Sequence, residues 1–279
     1  MGKMKETDDF GNRMKSYEVV ETSRELDVHL PIYARIDGRA FHTFTRGMNR
    51  PFDNRITTAM QHTTQYLVQK TDARIGYTQS DEISLIWLAV SSESDIFFSG
   101  KIQKMVSVLA SMAASHFMYS IPIELQNKLP HFDTRVFQLP SKEEAANMIL
   151  WRAMDARKNA ISMAAQTYFS HGQLQGKSQK DMLAMLTEIG KDFEADFPDY
   201  FKRGSFFQKR TFEREFTEVD KQVIPEDQWP ESGKVIRSHY PLLNMPPFNK
   251  VANRVEVIFD KEEPEYPREE AQEENTTET

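Results

Sequence analysis

Ile32-Tyr-Ala-Arg-Ile-Asp-Gly-Arg-Ala-Phe-His42 and Tyr77-Thr-Gln-Ser-Asp-Glu-Ile-Ser84 are the two stretches on which the fold turns. Each ends an apolar, strand-like run on a carboxylate, Asp37 in the first and Asp81–Glu82 in the second. Gly38 follows Asp37 at once, and its missing Cβ would let a ligand approach the backbone. Asp-Gly is also a common hairpin dipeptide, and Asp81 could be only the polar tip of a hairpin. Two carboxylates delivered from separate strand ends nevertheless suit a pair of hard cations, the arrangement that phosphoryl and nucleotidyl transfer require.

Working outward, Met4 to Arg24 reads as a helix ending before Leu30-Pro31, and Ile32 to Ile36 as the first strand. Asp53 is an N-cap for a helix over Arg55 to Gln69, with Ile56, Met60 and Leu67 on one face. Arg74 to Tyr77 and Ile83 to Val90 form a strand pair around Thr-Gln-Ser-Asp-Glu. A helix from about Asp95 to Met118 keeps apolar residues at helical spacing, and Thr134 to Leu139 is a fourth strand between Pro130 and Pro140. The order β-α-β-β-α-β is the ferredoxin-like pattern, shared by RNA-recognition modules and polymerase palms, in which the first strand neighbours the strand after the hairpin. The expected class is therefore α+β, a palm over residues 1–140 with added C-terminal helices and strands.

Past Pro140, Ser141-x-x-Glu144 is a capping box opening a helix that reaches Phe169 with a break. Ser178 and Asp181 open another, closed by Gly190. Lys202 to Phe216 is basic, aromatic and strand-prone. Thr217 to Gly233, with Pro225 and Pro230, reads as a loop or insertion. Residues 141–259 are taken as an extension packed on the palm and 260–279 as an acidic, disordered tail.

The 279-residue chain has a net charge of −7, which argues at first against nucleic acid. From Asp260 to Thr279 there are nine acidic and two basic residues, so the rest of the chain is near neutral and a local RNA-binding face stays possible. Cysteine is absent, which removes disulfides and thiolate chemistry and fits a reducing, cytoplasmic setting. No secretory signal and no run approaching the ~20 apolar residues of a membrane span is visible.

The wording Asp37-Gly38-Arg39-Ala40-Phe41-His42-x-Phe44, with Gln79-Ser80-Asp81-Glu82-x-Ser84 downstream, resembles the tRNA-His guanylyltransferase family, and more closely its bacterial and phage guanylyltransferase-like branch. The resemblance extends over roughly Arg13 to Phe212. It implies a polymerase-like palm running backwards, adding nucleotides to RNA 5′ ends in the 3′–5′ direction. It further implies two Mg²⁺ ions on Asp37, the Gly38 carbonyl and Asp81; Glu82 beside them reads either as a catalytic base standing behind the metal ligands or as their outward-facing neighbour. GTP or another NTP, and ATP, are the implied substrates, held by the backbone from Gly38 through Arg39, Ala40 and Phe41 to His42, with Ser80. Tetramers of the chain and a tRNA or tRNA-like partner are implied as well.

Lys101 and Lys104, three apart and so on one helix face, align with triphosphate-gripping positions of the family. Arg39 and Arg50 offer forked donors suited to phosphate. In Trp151 to Ile161 the chain keeps Trp151, Arg152, Asp155 and Asn159. It carries Arg157 where the tRNA-His-specific eukaryotic members have histidine, Ala160 at a later asparagine and Met163 at the last. This departure favours repair or extension of truncated 5′ ends on a template over dedicated tRNA-His guanylylation. Arg152, Arg157, Lys158 and Asn159, and separately Lys209 and Arg210 beside Phe206 and Phe207, are candidate RNA contacts. Two other functions share the pattern: a palm-type nucleotide cyclase or signalling-nucleotide synthase, and a non-catalytic RNA-binding ferredoxin-like module.

Overall fold

The computed structural model describes residues 9–91 and 94–266. Helix α1 (Asp9–Thr22) precedes β1 (Ile32–Gly38), the short α2 (Phe41–Phe44) and α3 (Asn54–Thr71). Then come β2 (Ile75–Gln79), β3 (Glu82–Trp87), α4 (Ile102–Ser120) and β4 (Phe132–Gln138). The chain continues through α5 (Lys142–Tyr168), α6 (His171–Leu174), α7 (Gln179–Glu188), α8 (Phe193–Asp196), α9 (Asp199–Arg203) and β5 (Ser205–Phe207). It closes with β6 (Arg210–Glu215), α10 (Glu218–Val223), β7 (Lys234–His239) and α11 (Arg254–Phe259).

The main sheet has the order β4-β1-β3-β2-β5, antiparallel throughout, so β1 does lie beside β3. The class is mixed α+β. Alternation along the strands sends Ile32, Ala34, Ile36, Ile83, Leu85 and Trp87 into one core with α3 and α4. Tyr33, Ile75, Tyr77 and Ile86 enter a second core with α5 and α11. With both faces covered, every residue of β2 and β3 is buried, and the register cannot slip without exposing a whole apolar set.

The expected caps form: the Asp53 side chain accepts from the Arg55 N–H at 3.0 Å, and Ser141 Oγ accepts from the Glu144 N–H at 3.2 Å. Three expectations need correction. α5 runs 27 residues without the break, because Lys142 to Tyr168 holds no Gly or Pro and its inner face is largely alanine. α4 starts at Ile102 rather than near Asp95. Phe98, Ser99 and Gly100 take left-handed φ of 53°, 50° and 74°, and this bend delivers the Gly100 carbonyl to the Leu26 N–H. Thr217 to Gly233 is not a mere insertion: it carries α10 and joins β6 to β7 in a separate two-stranded ribbon.

Asp220 is the ribbon's hub, accepting from Arg214 (2.7 Å to each oxygen), Arg237 (2.7 Å) and the Thr217 N–H (2.9 Å). Nor are residues 260–266 a free tail. The Ala252 N–H donates to the Glu265 carbonyl and the Glu265 N–H to Asn253 Oδ1, both at 2.8 Å, and the Arg210 guanidinium donates to the Lys261 carbonyl. Residues 267–279 of that expected tail lie outside the described residues. Among the described residues no helix is long and apolar enough to cross a membrane.

Candidate active site

Asp37 stands one residue before the end of β1, in register with Glu82 of β3 and Asp133 of β4. The turn between β2 and β3 consists of Ser80 and Asp81, with Ser80 at a left-handed φ of 49°. The Gly38 N–H donates to the Asp81 carbonyl at 3.0 Å, which ties this turn to the end of β1. Asp37 and Asp81, distant in sequence, thus meet at one end of the sheet.

Gly38 also serves packing. A Cβ there would fall 2.3 Å from the Phe41 ring, so the missing side chain makes room for Phe41. Phe41 itself is core, its ring centroid 5.0 Å from Phe44 and 5.2 Å from Phe132. This packing pins the turn, in which Ala40 has a φ of 55°. The N–H groups of Ala40, Phe41 and His42 are left without a backbone partner among the described residues. Arg39 is exposed, its N–H given to the His131 carbonyl at 2.8 Å.

The two aspartates are electrostatically starved. Burial raises the Asp81 carboxyl above its ordinary range and the charge of Asp37 adds to this, outweighing the Ser80 hydroxyl at 3.0 Å, its own backbone N–H and the His42 side chain. Burial, then Asp133, raises Asp37 in the same way, with Arg35, Arg135 and Arg152 acting against it. Neither carboxylate forms an ion pair among the described residues. Oxygen donors that repel one another beside a backbone carbonyl are a set a hard divalent cation fits.

Glu82 and Arg152 are not placed as expected. Both are buried, and the guanidinium grips Glu82 with both forks, Nε to Oε1 at 2.7 Å and Nη2 to Oε2 at 2.6 Å, with Asp155 at 3.2 Å. Glu82 therefore neither faces solvent nor is free to act as a base, and Arg152 has no reach left for RNA. Its planar fork instead joins α5 to the strand that carries the Asp81 turn.

A cavity of about 630 Å³ opens beside the turn. Its walls take Gly38, Ala40, Phe41 and His42, then Arg50 and Asp53, then Gln61 of α3, and Ser80 and Asp81 opposite in sequence. α5 contributes Ala156, Asn159, Ala160 and Met163, and α9 contributes Tyr200 and Phe201. Asp37 and Glu82 are not on this lining.

Other expected contacts lie elsewhere. Lys101 and Lys104 flank the start of α4, at the opposite end of the sheet, where Ile32 pairs with Trp87 and the Leu26 N–H meets Gly100. Lys101 is extended, not helical, and pairs with Glu25 at 3.7 Å; Lys104 Nζ lies 5.8 Å from the Phe98 ring centroid. Lys209 is tied to Asp72 at 3.0 Å and Arg210 to Glu263 at 3.4 Å, while Phe206 and Phe207 are core. Arg157 pairs with Glu194 at 2.6 Å; Lys158 is exposed.

With the geometry in hand, comparison with known proteins gives a consistent answer. A family profile for tRNA(His) guanylyltransferase (Thg1) matches residues 11–140. A solved bacterial tRNA(His) guanylyltransferase (Thg1)-like protein, in complex with ATP, is 34% identical with a TM-score of 0.75, over 90% of this chain and 99% of that one. The chain belongs to the tRNA(His) guanylyltransferase (Thg1) family. A bacterial Thg1-like protein in complex with GTP is 31% identical with a TM-score of 0.69, over 87% of this chain and 95% of that one. The tRNA(His) guanylyltransferase of Schizosaccharomyces pombe is 26% identical over 228 residues, 74% of this chain and 85% of that protein. Family membership makes the chain a nucleotidyltransferase.

Asn49, Gln61, Tyr200 and Phe201 line the cavity and were not singled out from the sequence. Tyr200 Oη donates to Asn54 Oδ1 at 2.6 Å, 146 positions away, a pairing with no local signal. Asp53, besides capping α3, also lies on the cavity lining.

Proposed function

We propose that this enzyme adds nucleotides, in the 3′–5′ direction and against a template strand, to the 5′ end of tRNA or tRNA-like RNA. The observation that carries the reading is the meeting of Asp37 and Asp81, unpaired and mutually repelling, beside the cavity bounded by the Gly38–His42 turn. Asp37, Asp81 and the Gly38 carbonyl would hold Mg²⁺, which when bound lowers the pKa of an attacking hydroxyl and offsets charge on the leaving group.

The chain's own residues then supply alignment. The N–H groups of Ala40, Phe41 and His42, with Arg50 and Ser80, orient a triphosphate; Asn159 and the α5–α9 wall enclose the rest of the nucleotide. That solved relatives are complexes with ATP and GTP supports a nucleotide in this cavity. A 5′ monophosphate on the RNA first takes AMP from ATP, releasing pyrophosphate; the 3′-hydroxyl of the incoming nucleotide then attacks that 5′ phosphorus, a new P–O bond forms, and the bond to AMP breaks, or the bond to pyrophosphate where the RNA already carries a 5′ triphosphate. Ala160 and Met163, two of the positions that depart from the tRNA-His-specific pattern, line the cavity, and Arg157 is engaged with Glu194. This supports end repair over dedicated tRNA-His guanylylation. A palm-type catalytic unit in residues 1–140, an extension over 141–259, a tetramer and a cytoplasmic setting belong to the same reading.

The test is incubation with Mg²⁺, ATP, labelled GTP and either full-length tRNA-His or a tRNA lacking its first nucleotide. Labelling of the shortened RNA is expected. Labelling of tRNA-His alone would overturn the repair reading, and turnover of GTP without RNA would favour a cyclase.

A further inference from the structure

A second cavity, of about 470 Å³, opens at the other end of the sheet between the loop before β1, the start of β2 and the first residue of α5. Three basic side chains line it, His29, Arg74 and Lys142, together with Leu88, Phe259 and one carboxylate, Asp260. Arg74 gives Nε and Nη2 to the Leu88 carbonyl at 3.1 and 2.8 Å, which fixes its guanidinium in the wall. Lys142 Nζ rests 5.3 Å from the Phe259 ring centroid and has no carboxylate partner among the described residues.

More positive charge stands close by. Burial, then the charges of Lys209 and Arg74, hold the Lys261 ammonium below its ordinary range, against the charge of Asp72 and with Arg210 adding a smaller push. Lys209 is committed to Asp72 and Arg210 to Glu263, whereas Lys142 and Lys261 are not committed to any carboxylate among the described residues. On a chain whose net charge is −7, cations gathered from several separate elements make a local exception.

We propose that this cavity binds a phosphate of the RNA backbone at a point removed from the end being extended. The inference rests on RNA being the substrate. Along β3 the distance from the Asp81 turn is roughly 20 Å at ~3.3 Å per residue, so the contact falls within the body of a bound RNA and not at its terminus. A free nucleotide suits the site less well: its one aromatic face, Phe259, is already covered by Lys142, and bases need such a face to stack on. A backbone phosphate needs only cations, and its capture releases counterions.

The test combines Lys142→Gln with Lys261→Asn in the full chain; Lys261 has a left-handed φ of 65°, which asparagine tolerates. Affinity for a tRNA is measured across salt concentrations. The dependence of log Kd on log salt is expected to flatten by about one unit, the loss of one phosphate contact, with Kd weakened about tenfold near 0.1 M salt. GTP binding and nucleotide addition to a hairpin too short to reach the patch should not change. An unaltered salt slope overturns the proposal, and so does a lost GTP-binding equivalent, which would assign the site to free nucleotide. If the wild-type protein binds tRNA with a steep slope that the variant flattens, yet adds no nucleotide, the phosphate site stands and the proposed reaction falls.

Discussion

Asp53 and Asp81 line the same cavity and live in opposite electrostatic worlds. Asp53 accepts from the Asn49 N–H at 3.1 Å, the Arg55 N–H at 3.0 Å and both forks of the Arg55 guanidinium at 3.0 and 2.8 Å. Arg55 above all holds its carboxyl down at about 2. Asp81 has the Ser80 hydroxyl, its own backbone N–H and a nearby His42, but no guanidinium; burial and the charge of Asp37 outweigh these, and its carboxyl is pushed up. One aspartate is finished by the fold; the other is left wanting a cation. That difference separates a carboxylate that builds a helix from the one proposed to hold Mg²⁺, and residue type alone does not reveal it.

The hardest test of this division is to neutralise the starved pair. Asp37→Asn or Asp81→Asn should cut nucleotide addition by at least about a thousandfold, the scale of losing a principal electrostatic element. Stability should respond in the other direction. A carboxyl raised above its unfolded value favours the folded state at low pH, and that favour fades as pH rises through the raised range, leaving two repelling charges at neutrality. In the wild type, Mg²⁺ at pH 7.5 is therefore expected to raise the Tm. The Asn variants should melt at or above the metal-free wild-type Tm and show little Mg²⁺ response. A full Mg²⁺ shift in both variants would end the metal assignment.

Next in size is the Glu82–Arg152 pair, which the comparison places on the side of structure. With both partners buried and separated by 2.6–2.7 Å, Arg152→Met strands a carboxylate and should cost about 3–5 kcal/mol in chemical denaturation. Glu82→Leu combined with Arg152→Met should recover much of that. Because Glu82 follows Asp81 directly, the single variant should also lower kcat, by about 10- to 100-fold, the range for groups that orient ligand residues, with a smaller change in KM for GTP. A stability loss with kcat intact would make the pair a scaffold alone.

What could be read from the sequence was whatever local chemistry dictates. Asp53, Ser141 and Ser178 announced their helices because a cap is satisfied within three residues. Ile32 to Trp87 announced its strands because apolar runs stop at polar turns. The meeting of Asp37 with Asp81 followed from strand order. Charge, by contrast, carries no address. Arg152 looked available for RNA until Glu82, 70 positions away, claimed it, and Lys209 until Asp72, 137 positions away, did the same. Lys101 and Lys104 share a helix face in the sequence, but Lys101 is extended after the left-handed bend at Phe98–Gly100, and strand order sets both at the end of the sheet away from the Asp81 turn. β7 and α11 escaped notice because β7 is defined by pairing with β6 and α11 by burial against α5.

The smallest expected effect sharpens the comparison most. Asp53→Ala removes the cap of α3 and the anchor of Arg55, for about 1–2 kcal/mol at neutral pH. Its carboxyl titrates near 2 when folded against about 3.9 when unfolded. The stabilisation is thus complete above about pH 4 and drains away as pH falls toward 2. The stability curves of wild type and Asp53→Ala should run parallel at neutral pH and converge in acid, as read by denaturation at successive pH values. Asp53→Asn keeps a side-chain oxygen for the Arg55 N–H but surrenders the charged fork, so it should fall between the two. If Asp53→Asn instead silences nucleotide addition as thoroughly as Asp81→Asn, then satisfaction by hydrogen bonds does not mark a carboxylate as structural in this cavity, and the contrast between the two walls has to be redrawn around the substrate.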